Sequence, residues 1–453
     1  MSAAALPGGA RPAEQARRLV EARDWWALRR LLETLDVPEV ADVLLEVPAP
    51  DRFLLFRLLP HDRAVEVFTY LAPADENAIL ATLTEARARR LLADVAPDDR
   101  TELFEELPGR AMQKLLNLLP PSDVAETRRF LGYPEESVGR LATPDYVAVR
   151  PEWPVARALA HVRERGQDSE TIDVVYVTDA AWRLLGEVSL RHLILADPAQ
   201  PVSTVMSEPA ALPAFDDREE AVRVMARYDL TVAPVIDSTG VLIGIVTIDD
   251  VLDVAQAEAT EDIHRTASVS PLRASYRHTG VGELYRKRVG WLAILLGVSL
   301  VSSGIIAAFE ETLARVVALA FFIPLLIDTG GNTGSQSAML MVRALVTDDV
   351  ALGDWFRTML KELAVGALLG GTLAAGSYAL GAWRAEPLVG LVVGASMMSI
   401  VLIANIVGML LPFVLVRLRL DPTVASSPLI TTIADAAGLL IYFWIASAVL
   451  LPG

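Results

Sequence analysis

Hydrophobic and polar positions divide the chain into three textures. Between residues 14 and 131, short Leu-rich segments such as DRAVEVFTYL and RTELFEEL are punctuated by Pro48, Pro60, Pro73, Pro97, Pro108 and Pro120. These prolines stand 12, 13, 24, 11 and 12 residues apart. Proline cannot donate a backbone hydrogen bond, so this beat predicts short helices stacked as a superhelix or a compact right-angled array. An ordinary helical bundle is the other reading of the same pattern. The all-α domain is expected over 14–133, preceded by a disordered tail, 1–13.

The second texture is a repeat. The segment VVYVTDAAWRLLGEVSLRHLI matches VAPVIDSTGVLIGIVTIDDVL at a fixed offset of 58, pairing Asp179 with Asp237, Gly186 with Gly244 and Ser189 with Thr247. Each copy predicts helix, strand, tight turn, strand, helix, because β-branched runs flank the turn residues. This α+β pair is expected over 134–255. The run DDVLDVAQAEATEDIHRTA follows, with good helix formers and no Gly or Pro before Pro271. It predicts an acidic connecting helix and linker over 250–278. Asp250, Asp253 and Glu261 fall on one face, with Glu258 flanking it and Asp262 further round. Stacked like charges repel, so this helix should seek cations or basic partners.

The third texture is continuous apolar sequence over 286–453. Five stretches, near 289–309, 315–343, 362–383, 387–417 and 428–451, reach the roughly 20 residues that a helix needs to cross a bilayer. The second and fourth are over-long, which predicts tilt, breaks or extension. Arg286, Lys287, Arg288, Arg343, Arg357, Lys361, Arg417 and Arg419 fall at helix ends on one side, against Arg315 and Arg384 on the other. The basic side is expected to be cytosolic, together with residues 1–285, and the C-terminus outside. The location implied is the inner or plasma membrane, crossed several times.

Charge sharpens this division. The formal net charge is −17, whereas the mean hydropathy is +0.39. Residues 286–453 carry ten basic and ten acidic side chains, so the whole imbalance lies in the first 285 residues. That excludes a single globular domain and argues against an electrostatic nucleic-acid binder. The chain has no Cys, which excludes disulfides and thiolate metal sites. Lys occurs three times and never as Gly-Lys, so a Walker A loop is absent. The start, MSAAALPGGARPAEQ, has no apolar signal-peptide core. No nucleophile–base pair or cofactor loop is apparent, and the expectation is that the chain is not an enzyme.

An ionisable residue inside a span is costly and suggests function. Asp328 lies in the second stretch and Asp435 in the fifth, roughly 10 Å along its helix from the cytosolic end. Around Asp328 the sequence reads Asp328-Thr-Gly-Gly-Asn332-Thr-Gly-Ser335-Gln336, whose small residues permit close backbone approach. One or two carboxylates with amides and hydroxyls suit a hard cation that keeps its water, as Mg²⁺ does. Oxygen sites discriminate weakly among Co²⁺, Ni²⁺ and Mn²⁺, so a broader divalent carrier stays open. So does a membrane-anchored sensor without conduction.

The repeat resembles a tandem pair of CBS domains, whose copies end Gly-h-h-Ser/Thr-x-x-Asp. Together with Asp328–Gln336, Asp421-Pro422 and Pro428-Leu-Ile-Thr-Thr-Ile-Ala-Asp435, the domain order resembles the MgtE family of Mg²⁺ channels and transporters. The resemblance implies a homodimer in the bilayer whose pore forms from the second and fifth spans of both subunits. It places Asp435 at the pore carboxylate, with Asp328, Gly331, Asn332, Ser335 and Thr431 around hydrated Mg²⁺. It also implies regulatory Mg²⁺ that locks the connecting helix over the pore. The matching acids are Asp250, Asp253, Glu258, Glu261, Asp262 and Asp421, with Asp217, Glu219 and Asp229 in the second CBS copy and Glu66, Asp98 and Glu102 in the helical domain. ATP is the nucleotide implied for the CBS pair, near Tyr176, Arg191 and His192. His192 stands where the family usually has Asp, and Leu230 where an aromatic is expected; both departures argue against ATP sensitivity.

Overall fold

The computed structural model describes residues 12–450 apart from 72, 106, 108, 273–275, 277, 278, 348 and 426. The expected tail, 1–13, lies outside these except for its last two residues, which open the first helix. The chain forms two compact units that divide between Gln256 and Ala257.

In the first unit, ten short helices run from Pro12–Glu21 to Pro121–Phe130 among the described residues. The prolines do not interrupt helices; they start them. Pro73 and Pro97 open Pro73–Leu80 and Pro97–Glu105, while Pro48, Pro60 and Pro120 immediately precede Ala49–Leu58, His61–Thr69 and Pro121–Phe130. At a helix start the missing N–H has no partner to lose. The helices bury Leu28, Leu32, Leu44, Leu55, Phe68, Leu92 and Phe104 in one continuous core. Arg100 is buried with them, donating to Thr127 at 3.1 Å and to Glu126 at 2.9 Å. A buried guanidinium needs such partners to offset its lost hydration.

The repeat forms two three-stranded sheets. In the first, β1 (Ala148–Val149) runs parallel to β2 (Val174–Thr178), which pairs antiparallel with β3 (Leu184–Ser189). In the second, β4 (Leu212–Pro213), β5 (Val232–Ile236) and β6 (Leu242–Thr247) repeat that order. The register matches across the offset: Gly186 pairs with Val177, and Gly244 with Val235. The two β-turns pair with each other, Leu184 N donating to Gly240 O and Leu242 N to Trp182 O. Gly240 has φ +81, and its counterpart Trp182 has φ +63. A left-handed conformation costs a non-glycine residue ~1–2 kcal/mol. Arg150 covers the Trp182 ring at 5.0 Å and contributes the other way.

The segment leading into the first copy does not pack there. Phe130, Val138 and Ala142 join Leu212, Ala221, Val235 and Val246 in the core of the second copy. Thr143 pairs with Ile245.

Among the described residues of the second unit, five helices are long and apolar enough to span a membrane: Val281–Ala308, Val317–Val346, Leu352–Arg384, Pro387–Arg417 and Ser427–Leu450. The first and third begin earlier than their apolar stretches. Hydropathy marks the hydrocarbon crossing, and nothing in the basic segments Arg286–Arg288 or Arg357–Lys361 breaks the helix beyond it. The over-long second span has a break: Val317–Phe322 is 3₁₀ and turns α-helical at Ile323, beside Pro324.

The fourth span is the hub. Its Val392, Val393, Met397, Ile400 and Val401 are buried in one core with Leu326 of the second span and Leu439, Tyr442 and Phe443 of the fifth. The first span touches this core through Ile305 and Ile306 but has no buried residue of its own. Glycine sets the closest crossing. A Cβ at Gly408 of the fourth span would lie 2.2 Å from the Gly334 carbonyl oxygen of the second. Backbone thus lies against backbone, as small residues allow in membrane bundles.

Candidate functional site

The second and fifth spans meet through the small residues of the GGNTGS stretch. A Cβ on Gly331 would stand 2.7 Å from Thr431 Cγ2, and one on Gly334 would stand 3.0 Å from Ile430 Cγ2. Ser335 Oγ lies 3.3 Å from Thr431 Oγ1, and it donates to Ser427 O at 3.3 Å. Thr431 and Asp435 share a face of the fifth span, since residues four apart stack. Asp435 Oδ1 is buried without a hydrogen-bond partner among the described residues. Asp328 lies close enough for the two carboxylates to repel. Asp328 and Asn332 are exposed on the second span, whereas Gly331 and Ser335 are buried against the fifth. All six intramembrane residues singled out in the sequence therefore belong to these two helices, four turned inward at their seam and two along the uncovered flank of the second.

A carboxylate oxygen sealed at membrane depth with no donor is an unsatisfied group, costly without a cation or water. The set around it contains carboxylate, hydroxyl and carbonyl oxygens and no nitrogen or sulfur ligand. Such oxygens suit a hard cation bound through its own water shell.

A second set of acids converges in the first unit. Asp98 is partly buried, and its Oδ1 is sealed from solvent with no hydrogen-bond partner among the described residues. Burial, then Asp250, Asp99 and Glu170, push its carboxyl well above the usual range. Burial and Asp250 raise Asp99 to about 7. Asp250 is itself raised to about 7 by burial, against an opposing hydrogen bond of 2.7 Å from Thr247. Burial with Glu102 and Asp99 raises Glu76 to about 9. Every one of these groups prefers a proton or a nearby cation to bare charge.

Asp98, Glu102 and Asp250 were expected on this list, whereas Glu76, Asp99, Glu170 and Asp249 were not. Asp99 stands beside Asp98 in the first turn of Pro97–Glu105, and no sequence pattern links either to residue 170 or 249. Among the described residues no three such side chains already stand in metal-coordinating positions. The donor chemistry still suits hydrated Mg²⁺, which needs only one or two direct carboxylates.

Other expected acids are dispersed. Glu66 is exposed, and none of these couplings involves it. Asp217 caps the helix Arg218–Tyr228 by accepting from Glu219 N at 2.9 Å, and Asp229 ends that helix with φ +53. About three helical turns, ~17 Å, separate Asp217 and Glu219 from Asp229, so these acids do not form one site within the chain. On the connecting helix, Ile248–Thr266, burial and Asp249 raise Asp253. In the second unit, burial and then Glu258 raise Asp262. Arg265 pairs with both Glu261 and Asp421. Asp421 also accepts from Thr423 N at 2.8 Å and Thr423 Oγ1 at 2.6 Å.

The nucleotide residues do not come together. Tyr176 is fully buried between the CBS copies, edge-on to Tyr146 with Val232, Leu242 and Ile245, and its hydroxyl is unpartnered among the described residues. Arg191 lines an open cleft of about 590 Å³ with Asp173, Ser189, Leu190, Ile194 and Leu195. Ser189 caps the helix that carries His192, accepting from His192 N at 3.3 Å, and the His192 Nδ1 lies 3.0 Å from the same oxygen.

Comparison with known proteins covers the same ground. The family profile "Divalent cation transporter", MgtE, matches residues 323–445. "MgtE intracellular N domain" matches 35–136, and "CBS domain" matches 138–198 and 202–257. A relative named "Magnesium transporter MgtE" from Thermus thermophilus is 42% identical, covering 94% of this chain and 96% of its own. One of the same name from Bacillus subtilis is 31% identical over 93% of each. Among solved structures, the cytosolic domain of "the Mg2+ channel MgtE in complex with ATP" is 38% identical. It matches with a TM-score of 0.51, covering 53% of this chain and 99% of that one. The soluble part of a magnesium transporter matches with a TM-score of 0.50 at 27% identity, covering 55% and 98%. By its domains, their order and these relatives, the chain belongs to the MgtE family.

Proposed function

We propose that this protein transports Mg²⁺ across a cell membrane through a pathway between its second and fifth spans, and that cytosolic Mg²⁺ closes it. The observation that carries the first part is the unpartnered, buried Asp435 oxygen beside Asp328 at a seam of small and hydroxylated residues. The relatives named as magnesium transporters support Mg²⁺ as the ion. Asp435 offers charge to the passing ion. Gly331, Ser335 and Thr431 offer close backbone and hydroxyls to its water shell, and Asp328 and Asn332 extend the polar track. A homodimer would set two such tracks together and match a divalent charge with two carboxylates. With five crossings and a cytosolic acidic unit, the C-terminus would lie outside.

Closure rests on the acids. Asp98, Asp99 and Asp250 in the first unit, and Glu258, Glu261, Asp262 and Asp421 in the second, would hold Mg²⁺ through carboxylate oxygens. The ion would cancel their mutual repulsion. The deciding test is Mg²⁺ flux into liposomes. Asp435→Ala is expected to abolish flux while the protein stays monodisperse, and full flux in that variant would remove Asp435 from the pathway. Co²⁺, Ni²⁺ and Mn²⁺ competition in the same assay separates a Mg²⁺ pathway from a broader divalent carrier.

A further inference from the structure

A third intramembrane carboxylate lies outside the pathway described above. Glu362 is on the third span, seven residues after Trp355 and therefore ~10 Å along that helix. One of its oxygens, Oε2, accepts from Asn405 Nδ2 of the fourth span at 2.8 Å and from Ser337 Oγ of the second at 3.1 Å. The Asn405 amide also donates to the Glu362 backbone carbonyl at 2.7 Å. Asn405 and Ser337 are each only 3% exposed. Among the described residues, no Lys or Arg pairs with Glu362. A single carboxylate oxygen therefore ties three spans together through two neutral donors.

Its position relates it to the pathway. Ser337 follows Gly334 by three residues, and Asn405 precedes Gly408 by three, so the tie lies one turn from the Gly334–Gly408 backbone crossing. At 100° per residue, Ser337 points roughly opposite to Ser335 and Asp328 on the second span. The tie thus grips the second span from behind, while its front faces Thr431 and Asp435. Gly366, one turn beyond Glu362, keeps Asn405 close: a Cβ there would stand 3.4 Å from its Nδ2.

We propose that Glu362 is a positioning residue for ion passage, fixing the rotation and depth of the second span and so the width of the seam at Gly331, Ser335 and Thr431. It acts through Ser337 and Asn405 and does not touch the ion. This rests on the pathway proposed above. Because one oxygen receives both donors, a neutral amide oxygen can replace it, and charge is not required. A carboxylate that served the ion directly would need its charge.

The test is flux of Mg²⁺ and of Ca²⁺ into liposomes containing full-length protein. Glu362→Gln should retain Mg²⁺ flux within about twofold and keep the wild-type preference for Mg²⁺ over Ca²⁺. Glu362→Ala should lose about tenfold in Mg²⁺ flux and also narrow that preference, the loss expected when a working group shifts by a fraction of an ångström. If Glu362→Ala fails to reach the membrane, Ser337→Ala removes one donor with little volume and should narrow the preference to a smaller degree. Equal losses in the Gln and Ala variants would overturn the proposal in favour of a charge role. Unchanged selectivity in both Ala variants would overturn it as well. Absence of Mg²⁺ flux in the unmodified protein would instead count against the pathway itself, which keeps the two failures apart.

Discussion

Arg265 of the connecting helix forms an ion pair with Asp421, 156 residues away, just before the fifth span. The same guanidinium also pairs with Glu261. Two acids proposed to receive regulatory Mg²⁺ are thus already bridged by a cation that the chain itself supplies. A guanidinium and Mg²⁺ cannot both occupy those oxygens, so they compete.

Arg265→Gln is therefore expected to lower the internal Mg²⁺ concentration that halves flux, by up to about fivefold, the usual size of one partly exposed ion-pair contribution. Flux measured at graded internal Mg²⁺ gives the shift directly. A rise in that concentration would mean that Arg265 assists Mg²⁺ binding and does not oppose it.

At the seam, Gly331→Ala places a methyl group 2.7 Å from Thr431 Cγ2 and must push the fifth span away. Mg²⁺ flux should fall by at least about tenfold, since overpacking of this kind displaces neighbouring backbone. Thr431→Ser removes the obstructing methyl and keeps the hydroxyl. The double variant should regain most of the lost flux, and a double variant no better than Gly331→Ala would rule out this steric account.

The acids of the first unit predict a pH dependence of defined sign. Glu76 at about 9 and Asp99 and Asp250 at about 7 all lie above their unfolded values. The folded unit thus binds protons more tightly than the unfolded chain. Without Mg²⁺, stability is greatest at acid pH and declines as pH rises from about 4 through 7 to 9. In full-length protein, protease cutting between the helical domain and the CBS pair should increase from pH 5.5 to 8.5. Millimolar Mg²⁺ should suppress it far more at 8.5 than at 5.5. Asp99→Asn should flatten the profile, and a profile that steepens in that variant would contradict the sign.

Much of the architecture was legible before any coordinates. A bilayer imposes a length, so five apolar stretches became five spans, and a fixed offset of 58 became two sheets with matching register. The seam was legible as well, because Gly331, Ser335 and Thr431 lie in short motifs next to intramembrane acids. What escaped depends on contacts between distant segments. Asp99 and Glu170 became neighbours only when the helical domain met the CBS pair. Glu362 sits beside Lys361 at the edge of its apolar stretch, and no periodicity announces that Asn405 and Ser337 will point at it. Tyr176 is a similar case, since nothing in its own strand shows that Val232, Leu242 and Ile245 of the other CBS copy will pack around it.

The contact between Gly334 and Gly408 has a mechanical consequence. With no side-chain layer between them, the second and fourth spans have nothing to repack if one slides past the other, and they behave as a single stiff wall. The opposite wall is the fifth span, held at this seam by hydroxyl contacts of 3.3 Å at Ser335 and Thr431. The proposed pathway would therefore have one rigid side and one compliant side, and a change in its bore would be a displacement of the compliant one.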